Sequence, residues 1–486
     1  MQQQLFVEFN TPNEGDLNLF NKPTDEWKSE LVFQLDEKNR FLYMASYFFI
    51  VSPLTPNKYQ YFYWNVNQNR FIYDIWTERL LGNEKSQKEL TNYFRDKLPK
   101  HILTFIPNYY NVFIRPNENK FYFNIAPNVS AFNTTPFNSF SDEAKSGVQI
   151  FWNHLKKVWC NDNEQVFEYN KNWIINTVLC KKNGTVLLNI SKHGTGKSTL
   201  SDFLVKKVFS LNASAQATPN NVFGLFNDIL MNKCLIVFDE YEMPQSKAQR
   251  TKIFNMFKSY ITNDIVAIKR LRCDDINYPN CLNFIIHSNS DISEALPFPN
   301  TERRFLANDI SDEYVENSDY FTNINKVLYE TENIGEAFYA YCRENYNKDY
   351  NMYEELKKFE THTGSQIRAQ NLHPVFKYIK DEYLMKKNEL KRPLTSLLSE
   401  MNNNTKYKLK NLDFNTLHNQ LERAHLINTY DTDINVSVDN LYNIAEKEKW
   451  LSDIEKKRYE ETISENELLN VYINQHLADN FEELQI

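Results

Sequence analysis

Apolar and polar positions change period several times along this chain. Aromatic-rich runs at Tyr59–Val66 and Arg70–Trp76 flank Asn67-Gln68-Asn69, which predicts a β-hairpin. A stretch rich in Pro and Asn, from Ile125 to Ser141, predicts a loop and a boundary. Two helical periods follow. Val148–Trp159 places Phe151, Trp152, Leu155 and Trp159 on one face, and Phe167–Leu179 does the same with Trp173, Ile174 and Val178. From Gly184 onward short apolar runs alternate with helical patterns. Strands are expected at Thr185–Ile190, Cys234–Phe238, Asp264–Ile268 and Leu282–His287, and helices at Lys197–Phe209 and Ile253–Ile261. This alternation predicts an α/β core, a parallel sheet with helices on both faces.

Four regions result: an N-terminal α+β region (1–145), a helical segment (146–183), the α/β core (184–310) and a mostly helical C-terminal region (311–486). Within the last, His373–Met385 and Phe414–Ile427 are read as helices of a winged-helix module. Met352–Lys410 is basic on balance, and the end from Ala445 is acidic, as a solvated helical face would be.

Composition narrows the possibilities. The 486 residues carry a formal net charge of −8, and 24% are charged, which suits several folded domains rather than a disordered chain. The best apolar run, Phe41–Leu54, is shorter than the roughly 20 residues of a membrane span. With no signal-peptide pattern at the start, an intracellular chain with no membrane partner is expected, in the cytoplasm or nucleus of a host cell if viral. Six scattered Cys form no CxxC pair, so free thiols are expected. Only 9 residues are Gly, which makes a cluster of them informative.

Such a cluster opens the helix at Lys197. Ser191-Lys192-His193-Gly194-Thr195-Gly196-Lys197-Ser198-Thr199 follows a strand and starts a helix, the context of a phosphate-binding loop. Backbone N–H groups and the helix dipole attract phosphates, and Gly194 and Gly196 permit close approach. Lys197 can reach the β- and γ-phosphates of ATP, and Ser198 can ligate Mg²⁺. Ser191 replaces the usual first Gly. About 40 residues later Leu235–Phe238 ends in Asp239-Glu240, so that Asp239 can hold Mg²⁺ through water and Glu240 can act as general base. A third apolar run, Phe284–Ile286, ends in His287-Ser288-Asn289, where Asn289 can orient the lytic water. Arg303 and Arg304 can neutralise charge on the γ-phosphate.

The series GTGKST (Gly194–Thr199), VFDEYE (Val237–Glu242), ITNDIVAIKRLR (Ile261–Arg272), FIIHSN (Phe284–Asn289) and ERRF (Glu302–Phe305) resembles superfamily 3 helicases, most closely the poxvirus- and phage-type primase-helicase branch. The resemblance covers roughly residues 146–310. It implies an AAA+-type core that assembles into a ring, usually hexameric, hydrolyses ATP between subunits and translocates on single-stranded or forked DNA. It gives Asn289 a sensor role, and Arg303 or Arg304 a role across the subunit interface. It also places a hairpin in the ring channel between acid pair and sensor, where Lys269, Arg270 and Arg272 supply charge. Lys247–Asp275 holds 7 basic and 3 acidic residues, or +4 in a chain of −8.

Residues 1–145 show no paired-carboxylate metal motif, so no primase activity is expected in this chain; a separate primase or polymerase is a possible partner. The expected function is therefore a replicative DNA helicase of a viral or plasmid genome. Two alternatives are a remodelling, packaging or RNA-directed ATPase, and an origin-binding initiator that uses ATP only to assemble.

Overall fold

The computed structural model describes residues 49–55, 58–65, 70–74, 101–108, 112–115, 120–124, 126–241, 246–269, 275–289, 304–407 and 409–461. Near the N-terminus β1 (Phe49–Thr55), β2 (Lys58–Asn65) and β3 (Arg70–Asp74) form an antiparallel sheet, and the expected hairpin is β2–β3. A second small sheet joins β4 (His101–Thr104), β5 (Val112–Arg115) and β6 (Lys120–Asn124) in the order β4-β6-β5.

The centre is a five-stranded parallel sheet. Its members are β7 (Val186–Ile190), β8 (Ser214–Gln216), β9 (Leu235–Phe238), β12 (Asn283–Ser288) and β13 (Phe305–Asn308), in the order β13-β7-β12-β9-β8. The middle strands are buried along their whole length, as parallel strands covered on both faces must be. Alternate residues separate the two faces. Leu187, Leu235, Val237, Ile285 and Leu306 enter one core; Val186, Leu188, Ile236, Phe238, Phe284 and Ile286 enter the other.

The expected strand at Asp264–Ile268 forms, but outside this sheet. It is β10 (Ile265–Ile268), paired antiparallel with β11 (Ile276–Pro279) as a separate hairpin. Its residues alternate exposed and buried, a pattern that a two-faced parallel sheet does not accept. Two sheet members escaped the sequence pattern: β8, only Ser-Ala-Gln, and β13, a four-residue run directly after Arg304.

The first core is covered by helices. α1 (Asp142–His154) starts at the Ser141 cap, whose hydroxyl accepts from the Ala144 N–H, so the helix crosses the expected boundary at residue 145. It continues through a widened turn, Leu155–Trp159, and α2 (Glu164–Val178) follows after the Asn163 cap. α3 (Lys197–Phe203) leaves the phosphate loop, and α4 (Lys247–Thr262) covers the opposite face. α5 (Ser318–Glu330) and α6 (Ile334–Glu344) return to the first core, where Phe338 packs on Phe151, Trp152 and Phe203.

Beyond α7 (His362–Gln370) a third core begins. It gathers α8 (Pro374–Ile379), α9 (Leu394–Asn403), α10 (Phe414–Arg423) and α11 (Val438–Lys447) around the antiparallel pair β14 (Leu390–Pro393) and β15 (Asp433–Val436). The region after 311 therefore contributes to all three cores, α5 and α6 to the first, Ile367 of α7 to the second and residues 372–459 to the third. Among the described residues no helix is long and apolar enough to cross a membrane. Cys160, Cys180, Cys234, Cys281 and Cys342 are buried free thiols, and Cys273 lies outside the described residues.

Two glycines show how tightly α6 and α1 are packed. A Cβ on Gly335 would collide with the Lys207 carbonyl oxygen, whereas one on Gly147 would meet the Ile334 side-chain tip at 2.6 Å. Backbone cannot give way as a methyl group can. Gly335→Ala is thus expected to cost about 3 kcal/mol and Gly147→Ala about 1 kcal/mol or less. Chemical denaturation of the two variants checks the ranking; equal losses would refute it.

Candidate nucleotide site

The carboxyl ends of β7, β9 and β12 lie side by side, the place where open parallel sheets bind ligands. The phosphate loop leaves β7 here. Gly194 and Gly196 adopt φ of 80° and 84°, the left-handed region open to glycine without steric cost. Ser191 does not adopt that conformation. Instead its hydroxyl pairs with Thr195 Oγ1 at 2.8 Å and ties the loop across its width. The replaced first Gly is therefore not missed.

Lys197 and Asn289, 92 residues apart in sequence, meet: the Lys197 ammonium donates to Asn289 Oδ1, and to the carbonyls of Ser191 and Lys192 at 3.3 Å each. Burial holds the Lys197 pKa below its usual value, while Asp239 and Glu240 work the other way. Ser198 Oγ donates to Asp239 Oδ1 at 3.4 Å. Asp239 and Glu240 are both exposed at the tip of β9. Glu240 has φ 51°, an uncommon conformation for a side-chain-bearing residue, of the kind concentrated at functional sites. The tip is pinned, since Tyr241 N–H donates to the His287 carbonyl at 2.8 Å and Ser288 Oγ donates to the Tyr241 carbonyl at 3.0 Å.

A hydroxyl facing a carboxylate suits a hard cation, whose other ligands would come from phosphates and water. Among the described residues no group of three or more His, Cys, Asp or Glu could hold a metal ion without such help. The donor set therefore fits Mg²⁺ carried in with a nucleotide.

The sequence reading missed the supports behind the loop. His154 Nε2 lies 3.3 Å from the Gly196 carbonyl, which can only accept, so Nε2 carries the proton. Its Nδ1 then accepts from Tyr320 Oη at 2.8 Å, and the two rings stack. Phe321 sits against Gly196 so closely that a Cβ there would collide with it. Trp159 Nε1 donates to the Lys197 carbonyl at 3.0 Å. Periodicity identified Trp159 as core-facing; nothing in a period reports that its N–H has a target.

Arg304 stands at the start of β13, its carbonyl accepting from Val186 N–H at 2.8 Å. Arg303, Arg270 and Arg272 lie outside the described residues. Lys269 is exposed at the end of β10. Beside it the sequence reading missed an apolar pair, Leu225 (76% exposed) and Phe226 (37% exposed). The next residue, Asn227, fastens this pair to the hairpin. Its Oδ1 accepts from Lys269 N–H at 2.6 Å, its Nδ2 donates to the Ala267 carbonyl at 3.0 Å, and its N–H donates to the Lys269 carbonyl at 3.0 Å. A Gly followed by two apolar residues in a polar loop was the available signal.

Both buried imidazoles of the site are held neutral. Burial lowers the His154 pKa to about 4 and the His287 pKa to about 3, with the Lys197 charge adding to the second. The unfolded chain, with histidines near 6.5, binds more protons in the interval below that value. Stability from these two sites is therefore complete above pH about 6.5 and is lost as pH falls toward about 4 and below. The thermal midpoint is expected to drop across that window, and His154→Phe to flatten the drop. An unchanged slope in the variant would refute this assignment.

Residues 189–304 match the family of unknown function DUF5906. The chain is 32% identical over 125 residues to the DNA primase-polymerase of Nitratiruptor phage NrS-1; the match spans 26% of this chain and 17% of that relative. In solved structures, the apo C-terminal region of NrS-1 aligns with a TM-score of 0.48 at 18% identity, covering 76% of this chain and 84% of that one. The SCCmec type IV Cch, described as an active helicase, aligns with a TM-score of 0.42 at 14% identity, covering 82% and 94%. A phage primase-polymerase as relative agrees with the resemblance to phage-type primase-helicases, and the family match spans residues 189–304.

Proposed function

We propose that this chain is an ATP-driven motor of the superfamily 3 helicase type, acting on DNA in replication of a phage, viral or plasmid genome. The observation that carries the reading is the meeting of Lys197, Ser198, Asp239, Glu240 and Asn289 at the tips of three adjacent strands. Each side chain has a task in phosphoryl transfer to water. The loop N–H groups and Lys197 bind the β- and γ-phosphates. Ser198 and Asp239 hold Mg²⁺, which supplies charge neutralisation when bound. Glu240 accepts a proton from the attacking water, and Asn289 orients that water. Arg304 or Arg303 would complete the site of a neighbouring subunit in a ring, usually a hexamer in the family the chain resembles.

Nucleic-acid contact falls to the β10–β11 hairpin. Lys269, with Arg270 and Arg272, supplies phosphate-binding charge, and Phe226 offers an aromatic surface to bases or sugars. Cation and exposed aromatic side by side suit a single strand. The phage relative is named a primase-polymerase; this chain, with no such motif recognised in 1–145, would work beside a separate primase or polymerase. The α8–β14–α9–α10–β15 order supports reading this region as a winged-helix module, a further candidate DNA contact.

ATP turnover is expected to rise with single-stranded DNA and to fall about 100-fold or more in Lys197→Ala and Glu240→Gln. Glu240→Gln should still bind ATP. Matched DNA and RNA duplexes in an unwinding assay identify the substrate. ATP binding without turnover in the wild type would overturn the motor and favour an initiator. Turnover indifferent to either nucleic acid would favour a remodelling ATPase.

A further inference from the structure

A row of polar side chains crosses the centre of the sheet on its first face. Asn308 on β13, Asn189 on β7 and His287 on β12 occupy one register, partner to partner across the strands. All three are fully buried. Their neighbours on that face, Leu187, Ile285 and Leu306, are apolar. Polar groups at such positions cost free energy unless every one is paired, and apolar side chains there would need no partners.

The three side chains are joined to one another and to α2, where Asn308 Nδ2 donates to Asn170 Oδ1 at 3.2 Å. Asn308 Nδ2 donates to Asn189 Oδ1 at 2.8 Å, and its own Oδ1 accepts from Asn170 Nδ2 of α2 at 2.9 Å. Asn189 Nδ2 lies 3.4 Å from His287 Nδ1. An amide nitrogen can only donate, so Nδ1 is the acceptor and Nε2 carries the ring proton. His287 Nε2 then donates to Ser201 Oγ at 2.8 Å, which leaves the Ser201 hydroxyl hydrogen for the Ser198 carbonyl at 2.9 Å. Trp159 packs edge-on against the His287 ring at 5.9 Å, and its indole N–H takes the preceding carbonyl, that of Lys197.

We propose that His287 and Ser201 are positioning residues for the Mg²⁺ ligand Ser198, locking the first turn of α3 in register with the strand that ends at Asn289. The inference rests on the proposed ATPase function, in which Ser198 holds the cation. His287 is bonded on both nitrogens only as the neutral Nε2–H tautomer, in keeping with the burial that holds it neutral. An imidazolium would point a second N–H at the Asn189 amide donor. The row thus fixes the distance between the loop that binds the phosphates and the strand that senses them, without touching either ligand.

The test measures binding of a fluorescent ATP analogue as Mg²⁺ is titrated, in wild type, Ser201→Ala, His287→Leu and His287→Gln. The half-saturating Mg²⁺ concentration is expected to rise about tenfold in Ser201→Ala and His287→Leu, the usual effect of losing a group that orients a metal ligand. It should return toward the wild-type value in His287→Gln, whose amide N–H replaces Nε2–H. Binding in the presence of EDTA should stay unchanged, a separation that a general loss of stability would not produce. Imidazole ¹⁵N shifts of the wild type at pH 7 should report the Nε2–H tautomer. Unaltered Mg²⁺ dependence in both variants, or an Nδ1–H or charged His287, overturns the positioning role alone. A wild type without Mg²⁺-dependent nucleotide binding overturns the proposed function as well.

Discussion

A loop proposed to bind phosphates must keep its inward backbone N–H groups free for the ligand, so it is held in place through its carbonyls, its α-carbons and its own side chains. The rest of this site follows from that constraint. Gly196, Lys197 and Ser198 present three consecutive carbonyls, and each receives a side-chain donor: His154, Trp159 and Ser201. Phe321 closes on the α-carbon of Gly196. Two of these four supports come from the helix of residues 142–159 and its widened turn, and one from α5, far along the chain. The helical segment before the loop is thus the loop's foundation as much as a partner of the sheet.

The strand–loop–helix unit at Gly194 and Gly196 was legible in the sequence because it is contiguous: strand, two glycines, Lys-Ser, helix. The acid pair and Asn289 were legible because each ends an apolar run, which reports a buried strand and its tip together. The supports were not. His154 and Trp159 look like ordinary core positions of an amphipathic helix, and their ring nitrogens acquire targets only when α1 meets α3. His287 was placed at the end of its expected strand, but its full burial and its bonding partners were not legible.

The sheet shows the same division. Long apolar strands such as β12 announced themselves. β8 holds one apolar residue in three and exists because β9 offers it a parallel edge. β10 has strand composition, but its alternating exposure suits a two-stranded hairpin with one face on the second core, so the sequence pattern identified the element and misplaced its partner. Both cases arise because strand pairing is a long-range choice that local period does not contain.

Asn227 has a mechanical consequence. Its three bonds to Ala267 and Lys269 weld the connection between β8 and β9 to the β10–β11 hairpin. A force applied to the hairpin therefore does not stop at its two strands. It passes through Asn227, and through the Tyr278 hydroxyl of β11 that donates to Asn232 Oδ1 at 2.6 Å, into the segment that leads to β9, the strand whose far end bears Asp239 and Glu240. Load and fuel, in such a machine, would be reported along the same strand.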